Sequence, residues 1–323
     1  MSATGGLDMN GLWSELGKKL AERWLSLLVL PGVLYLAVVA VGITLKHSHA
    51  LDIGELREQI AAAASNPAVT STSGQVLVLT SLLICAAAVG LGAEAIGTFI
   101  ERITLAARWQ QLPPPFRHAV AGWVSWRQKR WDTAHRTYHL ERRRFDAAAA
   151  ANLAAEPSPK PIHKAARTRV RISLERPERP TWSGDRIQAA VLRLDRDYQI
   201  DLNTVWPHLW LALPDPVRDQ VNQARAAMSR SATLEAWALM YLPLSIWWWP
   251  AGPLSFVLAI TASRRFHTST DTYAQLLEAT MRLHATTLAE QLDIVHAGPL
   301  DTTLGHALTY HLNASQPPPP ATL

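Results

Sequence analysis

Apolar residues are concentrated in three blocks of the chain, at about 24–45, 75–100 and 236–262, and charged residues lie between them. The first block has no Asp, Glu, Lys, Arg or His in 22 residues. A helix rises about 1.5 Å per residue, so this run can cross a hydrocarbon core about 30 Å thick. It is also longer than the apolar core of a signal peptide, about 7–15 residues. The pattern therefore predicts an α-helical membrane protein with an uncleaved first span.

The residues before the first block, 1–23, have the pattern of an amphipathic helix. The apolar side chains Trp13, Leu16 and Leu20 share one face, which Trp24 continues at the start of the block, and the charged side chains fall mostly elsewhere. Such a helix suits the headgroup region of a membrane. We therefore predict a cytoplasmic amphipathic N-terminal helix over this segment.

The second block completes a predicted transmembrane hairpin over residues 24–100. Its centre is rich in small residues, including the spaced pairs Ala86-xxx-Gly90 and Ala93-xxx-Gly97. Small residues four apart let another helix backbone approach closely, which favours packing where lipid supplies no hydrophobic drive. The pattern predicts close helix packing here, with the single cysteine, Cys85, as a small buried side chain.

The third block contains the sequence WWWPAGP. Tryptophan prefers the membrane–water interface, and proline and glycine interrupt helices, so this sequence is typical of an interfacial turn. We therefore predict a second transmembrane hairpin over 233–265. Its turn is formed by Trp247, Trp248, Trp249 and Pro250.

Basic residues predict the orientation, because Lys and Arg near span ends prefer the cytoplasm. Arg225 and Arg230 precede the second hairpin, and Arg264 and Arg265 follow it, so only a hairpin puts both pairs on one side. The loop at about 46–75 has few basic residues and is predicted to be external. The prediction is a multi-pass protein of the bacterial plasma membrane with both termini cytoplasmic. Reading the third block as one span leaves a three-span alternative.

The chain's positive charge belongs to one region, residues 101–232. It holds 23 of the 31 Lys and Arg residues but only 13 of the 26 Asp and Glu residues. We predict a basic cytoplasmic helical domain here, beginning with a long helix at about 114–155. The proline-rich and basic stretch that follows, about 156–184, is predicted to be a flexible linker.

The long helix interleaves aromatic residues with arginines, which predicts a contact surface for a partner or for lipid. The candidate residues are Trp123, Trp126, Arg127, Arg130, Trp131, Arg142, Arg143 and Arg144. Such a surface could bind anionic headgroups, a partner helix or a second copy of the chain. Binding of nucleic acid is not expected, because the helix follows directly after a span.

Two further features are candidates for chemistry. Glu94 is an acid within an apolar run, and an ionisable group in a span is by default a functional hypothesis. His135 and His139 are four residues apart on a helix, the spacing at which two imidazoles can share a metal ion. The central glutamate of the zinc-protease signature is absent between them, so solvated surface histidines are the alternative interpretation.

The last region, 266–323, is predicted to contain a cytoplasmic C-terminal helix at about 268–292 and a disordered proline-rich tail. Upstream, DLNTVWPHLWLALPDPVRDQV contains an apolar segment, Val205–Leu213, that is too short to span a bilayer. It is a candidate for docking on the inner membrane surface or on the bundle. With LEAWALMYLPLSIWWWPAGP and DTYAQLLEATMRLH, this stretch resembles a group of uncharacterised multi-pass membrane proteins of actinobacteria. The resemblance implies a plasma-membrane location and no activity.

The sequence has no phosphate loop, dinucleotide-binding glycine motif, GxSxG elbow or CxxC pair. We therefore expect no enzyme and no cofactor. The predicted fold is an all-α membrane bundle of two hairpins with a basic cytoplasmic domain. The predicted role is an anchor or regulatory protein that recruits or assembles a cytoplasmic or membrane partner. The alternatives are a small transporter or channel using Glu94, and a membrane-acting effector such as a toxin or antiviral component.

Overall fold

The computed structural model describes residues 29–47, 50, 52–65, 71–105, 109–111, 113–151 and 158–313. Within these ranges the chain forms ten α-helices, two short 3₁₀-helices and no strand. The helices are α1 (Leu30–Leu45), α2 (Ile53–Ala64), α3 (Thr72–Thr104), α4 (Pro114–Ala151), α5 (Lys160–Ile172), α6 (Trp182–Tyr198), α7 (Leu202–Ala212), α8 (Asp215–Tyr241), α9 (Ala251–Gln291) and α10 (Thr302–Leu312). The all-α prediction is confirmed.

The chain divides into two compact units. The first, which we call the apolar unit, comprises Met1–Ile100 and Ser231–Ser263. The second, the basic unit, comprises Glu101–Arg230 and Arg264–Leu323.

Helix α3 in the apolar unit is the one described helix that is long and apolar enough to cross a membrane, by length and composition. It has 33 residues, and only 17% of its most apolar 18-residue stretch is buried. Large apolar side chains such as Leu77 and Ile84 are 69% and 65% exposed. Cys85 is also exposed, so its predicted burial is wrong. The packed face of the helix is the neighbouring one, which carries Ala86.

Small residues bring backbones together in the apolar unit, as the spacing predicts. Ala86 and Ala93 of α3 are fully buried. A Cβ added at Gly32 of α1 would collide with the Ala86 carbonyl. A Cβ added at Gly97 would lie 2.8 Å from the Thr233 Cα. Close helix packing along this face of α3 is therefore confirmed, and it depends on glycine at both crossings.

The third apolar block is divided between two helices. Helix α8 ends at Tyr241, a 3₁₀-turn covers Pro243–Ile246, and α9 begins at Ala251, so the predicted break at WWWPAGP is present. The Ser255 hydroxyl donates to the Ala238 carbonyl at 2.7 Å across the break. Both helices are longer than predicted, because they continue through polar sequence on the other side of the block.

The core of the basic unit is formed by α6, α7, α9 and α10. Val205 and Leu209 of α7 are 0% and 1% exposed and pack with Met281 of α9 and Leu308 of α10. The apolar segment expected to dock on the membrane surface or the bundle is thus packed inside the basic unit. Asp201 caps the start of α7 by accepting from the Asn203 N–H at 3.1 Å, and the helix ends at Ala212.

Besides the helix in the stretch predicted as a linker, sequence patterns missed two helices. Helix α2 lies within the stretch predicted as an external loop, and Asp52 caps it by accepting from the Gly54 N–H at 2.9 Å. Helix α10 lies in the region predicted to hold only the C-terminal helix and tail, and Asp301 caps it through the Leu304 N–H at 2.8 Å. The predicted N-terminal amphipathic helix and the proline run at 317–320 lie outside the described residues.

Candidate functional site

The stretch predicted as a flexible linker is largely ordered. Residues 160–172 form α5, and 173–181 form a connecting segment, which we call the proline segment. Within it, Ser173 is 1% exposed and Pro177 is among the fully buried side chains. The prediction of flexibility is wrong for this described part of the stretch.

The proline segment is held by side chains of α4. Proline has no backbone N–H, so a proline-rich segment lacks donors for regular backbone hydrogen bonds. Its carbonyl oxygens therefore need donors from elsewhere in the chain. One face of α4 supplies them. Trp123 Nε1 donates to Pro180 O at 2.9 Å, Arg127 to Arg179 O at 2.6 Å and to Ile172 O at 3.0 Å, Gln128 to Pro177 O at 2.8 Å, and Trp131 Nε1 to Ser173 O at 3.0 Å.

A buried ion pair completes this attachment. Arg127 Nη1 lies 2.6 Å from Asp185 Oδ2, and the two residues are 7% and 3% exposed. The other Asp185 oxygen accepts from the N–H groups of Glu178 and Arg179 at 2.9 and 2.8 Å. Burial raises the pKa of Asp185 above its usual value, and the two N–H groups and the Arg127 charge oppose that rise. The buried side chains of Arg127 and Trp131 are therefore bonded within the basic unit, which corrects their predicted role in partner contact.

The adjacent face of α4 borders an open groove of about 1120 Å³. Its lining positions on α4 recur every three or four residues from Trp123 to Glu141, and those on α5 do the same from Pro161 to Ile172. Ala134 and Ala165 lie in it and are 8% exposed, so small side chains leave the space open. We call this space the α4–α5 groove.

Aromatic rings form one end of the groove. Trp123 and Trp126 are 52% and 46% exposed and stack with their ring centroids 4.9 Å apart. The guanidinium of Arg130 lies 5.2 Å from the centre of the Trp126 ring, within cation–π distance. Trp182, at the start of α6, lines the same end. The groove therefore offers a broad apolar surface beside a positive charge.

The charge of the groove is unbalanced. Arg130, Lys164 and Arg171 are exposed and line it, and none of them forms an ion pair with a residue that the structure describes. The one acidic side chain in the lining, Glu141, is bound to Arg144 at 2.9 Å. Helix α5 contributes further positive charge, because it has no acidic residue in its 13 positions. An occupant with negative charge would be favoured electrostatically.

Helix α5 also presents cations beside the groove. Lys160, His163 and Arg167 line a smaller neighbouring cavity of about 430 Å³, which shares Lys164 and Arg171 with the groove. Sequence reasoning missed these residues because it read the stretch as a linker. The signal was available: in KPIHKAARTRVRI the basic residues recur at helical spacing, and no acid or glycine interrupts them.

The remaining predicted contact residues lie further along α4. Arg142, Arg143 and Arg144 are exposed and do not line the groove. Arg142 lies 3.4 Å from the Tyr138 hydroxyl, and Arg144 pairs with Glu141. Four of the eight predicted residues therefore line the groove, Trp123, Trp126, Arg127 and Arg130, although the Trp123 indole N–H and the Arg127 guanidinium are bonded internally. Trp131 is buried, and the three arginines from Arg142 to Arg144 lie on the surface beyond the groove.

The two candidate metal ligands do come together. The Nε2 atoms of His135 and His139 are 3.1 Å apart, and the His135 ring stacks on Trp131 at 4.5 Å. Burial, and then the charges of His139 and Arg169, lower the pKa of His135 below its usual value. No group of three or more His, Cys, Asp or Glu side chains suited to a metal occurs among the described residues. Among the described residues, the two rings are therefore arranged as a hydrogen-bonded pair.

Glu94, the candidate functional acid, is exposed on α3, and its carbonyl accepts from the Thr98 hydroxyl at 2.9 Å. Thr80 and Ser81, two other polar residues of this span, are exposed as well and lie about 20 Å from Glu94 along the helix. Sequence reasoning passed over Glu235, a half-buried carboxyl-bearing residue of α8 in the apolar unit. Its position at the edge of the third apolar block made it look like part of the polar flank.

No family model matches the chain, and no curated protein or solved structure matches it at a significant level. The α4–α5 groove is the feature with the most specific chemistry in the described chain.

Proposed function

We propose that this protein is a non-enzymatic membrane anchor of the bacterial plasma membrane that recruits a partner through its basic unit. The observation that carries the proposal is a contrast in exposed surface. Helix α3 exposes large apolar side chains along most of its length, whereas the α4–α5 groove exposes cations that have no acidic counterpart among the described residues. The first surface suits lipid and the second suits an acidic or anionic partner.

The finer topology that we propose is two hairpins with both termini in the cytoplasm. Contacts in the apolar unit support it. The His47 ring is 2.7 Å from the Trp247 carbonyl oxygen, and Trp248 Nε1 donates to Ala50 O at 2.9 Å. The WWWP turn therefore lies at the end of α1, at the level where the first span would leave the bilayer. Tryptophan at that level agrees with its preference for the interface.

The exposed arginines of α4 support lipid contact as an additional role. Arg142 and Arg143 form no ion pair with a described residue. A basic residue near an anionic membrane surface contributes about 1 kcal/mol to binding. Anionic headgroups are thus proposed as a second ligand on the surface of α4, and self-association through this helix is the other form that assembly would take.

Membrane integration is tested by extraction and labelling in intact cells. With Cys85 replaced by Ala, single cysteines are introduced as Ala150→Cys in α4 and Gly54→Cys in α2. We expect the protein to resist carbonate extraction, and position 54 but not position 150 to react with an impermeant maleimide. Labelling of position 150 from outside would overturn the orientation, and release by carbonate would overturn integration.

A further inference from the structure

We propose that the α4–α5 groove binds an acidic amphipathic segment of a protein partner. This deepens the proposed function, on which it rests, by assigning the recruitment to one surface and one chemistry.

The groove is elongated. Its lining on α4 runs from Trp123 to Glu141, which corresponds to about 27 Å of helix. Its volume of about 1120 Å³ lies above the range of about 300–1,000 Å³ that small-molecule sites occupy. A lipid headgroup or a free phosphate would fill only a small part of such a length. A peptide of about 18 helical residues would match it.

The apolar contacts suit one face of an amphipathic helix. Trp123, Trp126 and Trp182 provide aromatic surface at one end, and Ala134 and Ala165 form the floor further along. Tryptophan is enriched among the residues that contribute most to binding, because its large ring buries much area. Helix-in-groove recognition uses such anchors at a helical spacing.

The charge of the groove indicates which polar face the partner carries. The cations Lys164 and Arg171 on α5 and Arg130 on α4 indicate that the partner carries carboxylates. Glu141, the one acidic lining residue, is already bound to Arg144. The hydroxyls of Thr133 and Thr168 donate to the carbonyls of their own helices, at 2.9 and 3.0 Å. The cations are therefore the principal donors left for a ligand among the lining residues. Their arrangement along both walls favours a segment with several acids over a single anionic group.

The test uses the full chain in nanodiscs of zwitterionic lipid and three fluorescent peptides of about 18 residues. All three have Leu and Trp at the same helical positions, and the remaining positions are Glu, Gln or Lys. Binding is measured by fluorescence anisotropy. We expect the Glu peptide to bind at least about tenfold more tightly than the Gln peptide, and the Lys peptide to bind least.

Charge reversal assigns the binding to the groove. The Lys164→Glu/Arg171→Glu variant should weaken binding of the Glu peptide by about tenfold or more. The matched Lys129→Glu/Arg136→Glu variant changes the net charge equally, but these two exposed residues of α4 do not line the groove, so it should change affinity less than about twofold. A Lys164→Gln/Arg171→Gln variant with unchanged thermal unfolding keeps the test valid if charge reversal disturbs folding, and it should give an intermediate loss.

Three results would overturn the proposal. They are no saturable binding of the Glu peptide to the wild-type chain, equal affinity for the Glu and Gln peptides, and equal losses in the groove and control variants. A fourth arm adds anionic phospholipid to the nanodiscs. If that lipid abolishes binding of the Glu peptide, and the Lys164/Arg171 variants remove the effect, headgroups occupy the groove and the proposal is wrong. Failure of carbonate resistance with peptide binding intact would instead reject only the anchor function.

Discussion

Two adjacent faces of α4 carry the same kinds of residue with opposite consequences. On one face, Arg127 donates to the carbonyl of Ile172 at the end of α5, and Trp131 donates to the carbonyl of Ser173, the next residue. Both side chains are buried, with 7% exposure. On the other, Arg130 and Trp126 are exposed and contact each other beside an open groove. The same residue types on one helix therefore differ in their availability, because those on one face are buried and bonded and those on the other are exposed. Part of its chemistry is satisfied by its own chain, and only the remainder is available to a partner.

The largest expected difference between the faces comes from removing one arginine from each. Arg127→Ala leaves the Asp185 carboxylate buried without its ion pair, so the free energy of unfolding should fall by about 3–5 kcal/mol. Arg130→Ala removes an exposed side chain and should change it by no more than about 0.5 kcal/mol. Denaturant unfolding of the detergent-solubilised protein measures both. Equal effects of the two substitutions would show that the faces do not differ as described.

A second matched pair applies the same logic to α3. Gly97→Ala places a Cβ 2.8 Å from the Thr233 Cα, so it should destabilise the apolar unit by about 1–3 kcal/mol. Gly92→Ala meets nothing within 4 Å and should be neutral or slightly stabilising, because alanine favours the helix. Thermal unfolding in one detergent compares the two variants. A Gly92 variant at least as unstable as the Gly97 variant would contradict the close crossing.

The tryptophans allow a finer comparison. Trp131→Phe keeps most of the buried ring but removes the donor to Ser173 O, which should cost about 1–2 kcal/mol and make the proline segment easier to cleave. Trp126→Phe on the groove face should have little effect on stability. Limited proteolysis, with cleavage sites identified by mass spectrometry, tests where the chain loosens. Protection of residues 173–181 in the Trp131 variant would count against the attachment.

The smallest expected effect is on pH dependence. The pKa of His135 is lowered in the folded chain, so the unfolded chain binds its proton at higher pH. The stability contributed by neutral His135 is full above the ordinary imidazole value of about 6.5 and is lost as pH falls through that value towards the lowered one. His135→Gln should therefore reduce the loss of stability between about pH 7.5 and about pH 5.5. His163→Gln, at an exposed position, is the control, and an equal reduction there would refute the assignment to His135.

Local patterns predicted the elements whose partners are close in sequence or whose composition is extreme. The apolar runs indicated α1 and α3, the small residues around Ala86 indicated their packing face, and WWWPAGP indicated the break after α8. The start of α4 at Pro114 was also predicted, because proline is compatible with the first turn. Each of these follows from hydropathy, side-chain size or backbone restriction of the residues themselves.

The proline segment could not be predicted in this way. Its order depends on donors such as Arg127 and Gln128 that lie about 50 residues earlier in the chain. Composition alone indicates only that Pro177 and Pro180 cannot form a helix interior or a ladder. The groove was hidden for the same reason, since it exists only once α5 packs beside α4. Helix α10 was missed because eleven residues give a weak periodic signal, and its burial depends on distant helices.

Trp123 takes part in both faces of α4. Its ring lines the groove, and its indole N–H is bound to Pro180 O. The orientation of the ring is thus set before any ligand arrives, so docking against it would sacrifice little side-chain freedom. A ligand that required the ring to swing aside would have to break that hydrogen bond first. In the proposed complex, the fixed indole would therefore favour segments that fit the ring in the orientation it already has.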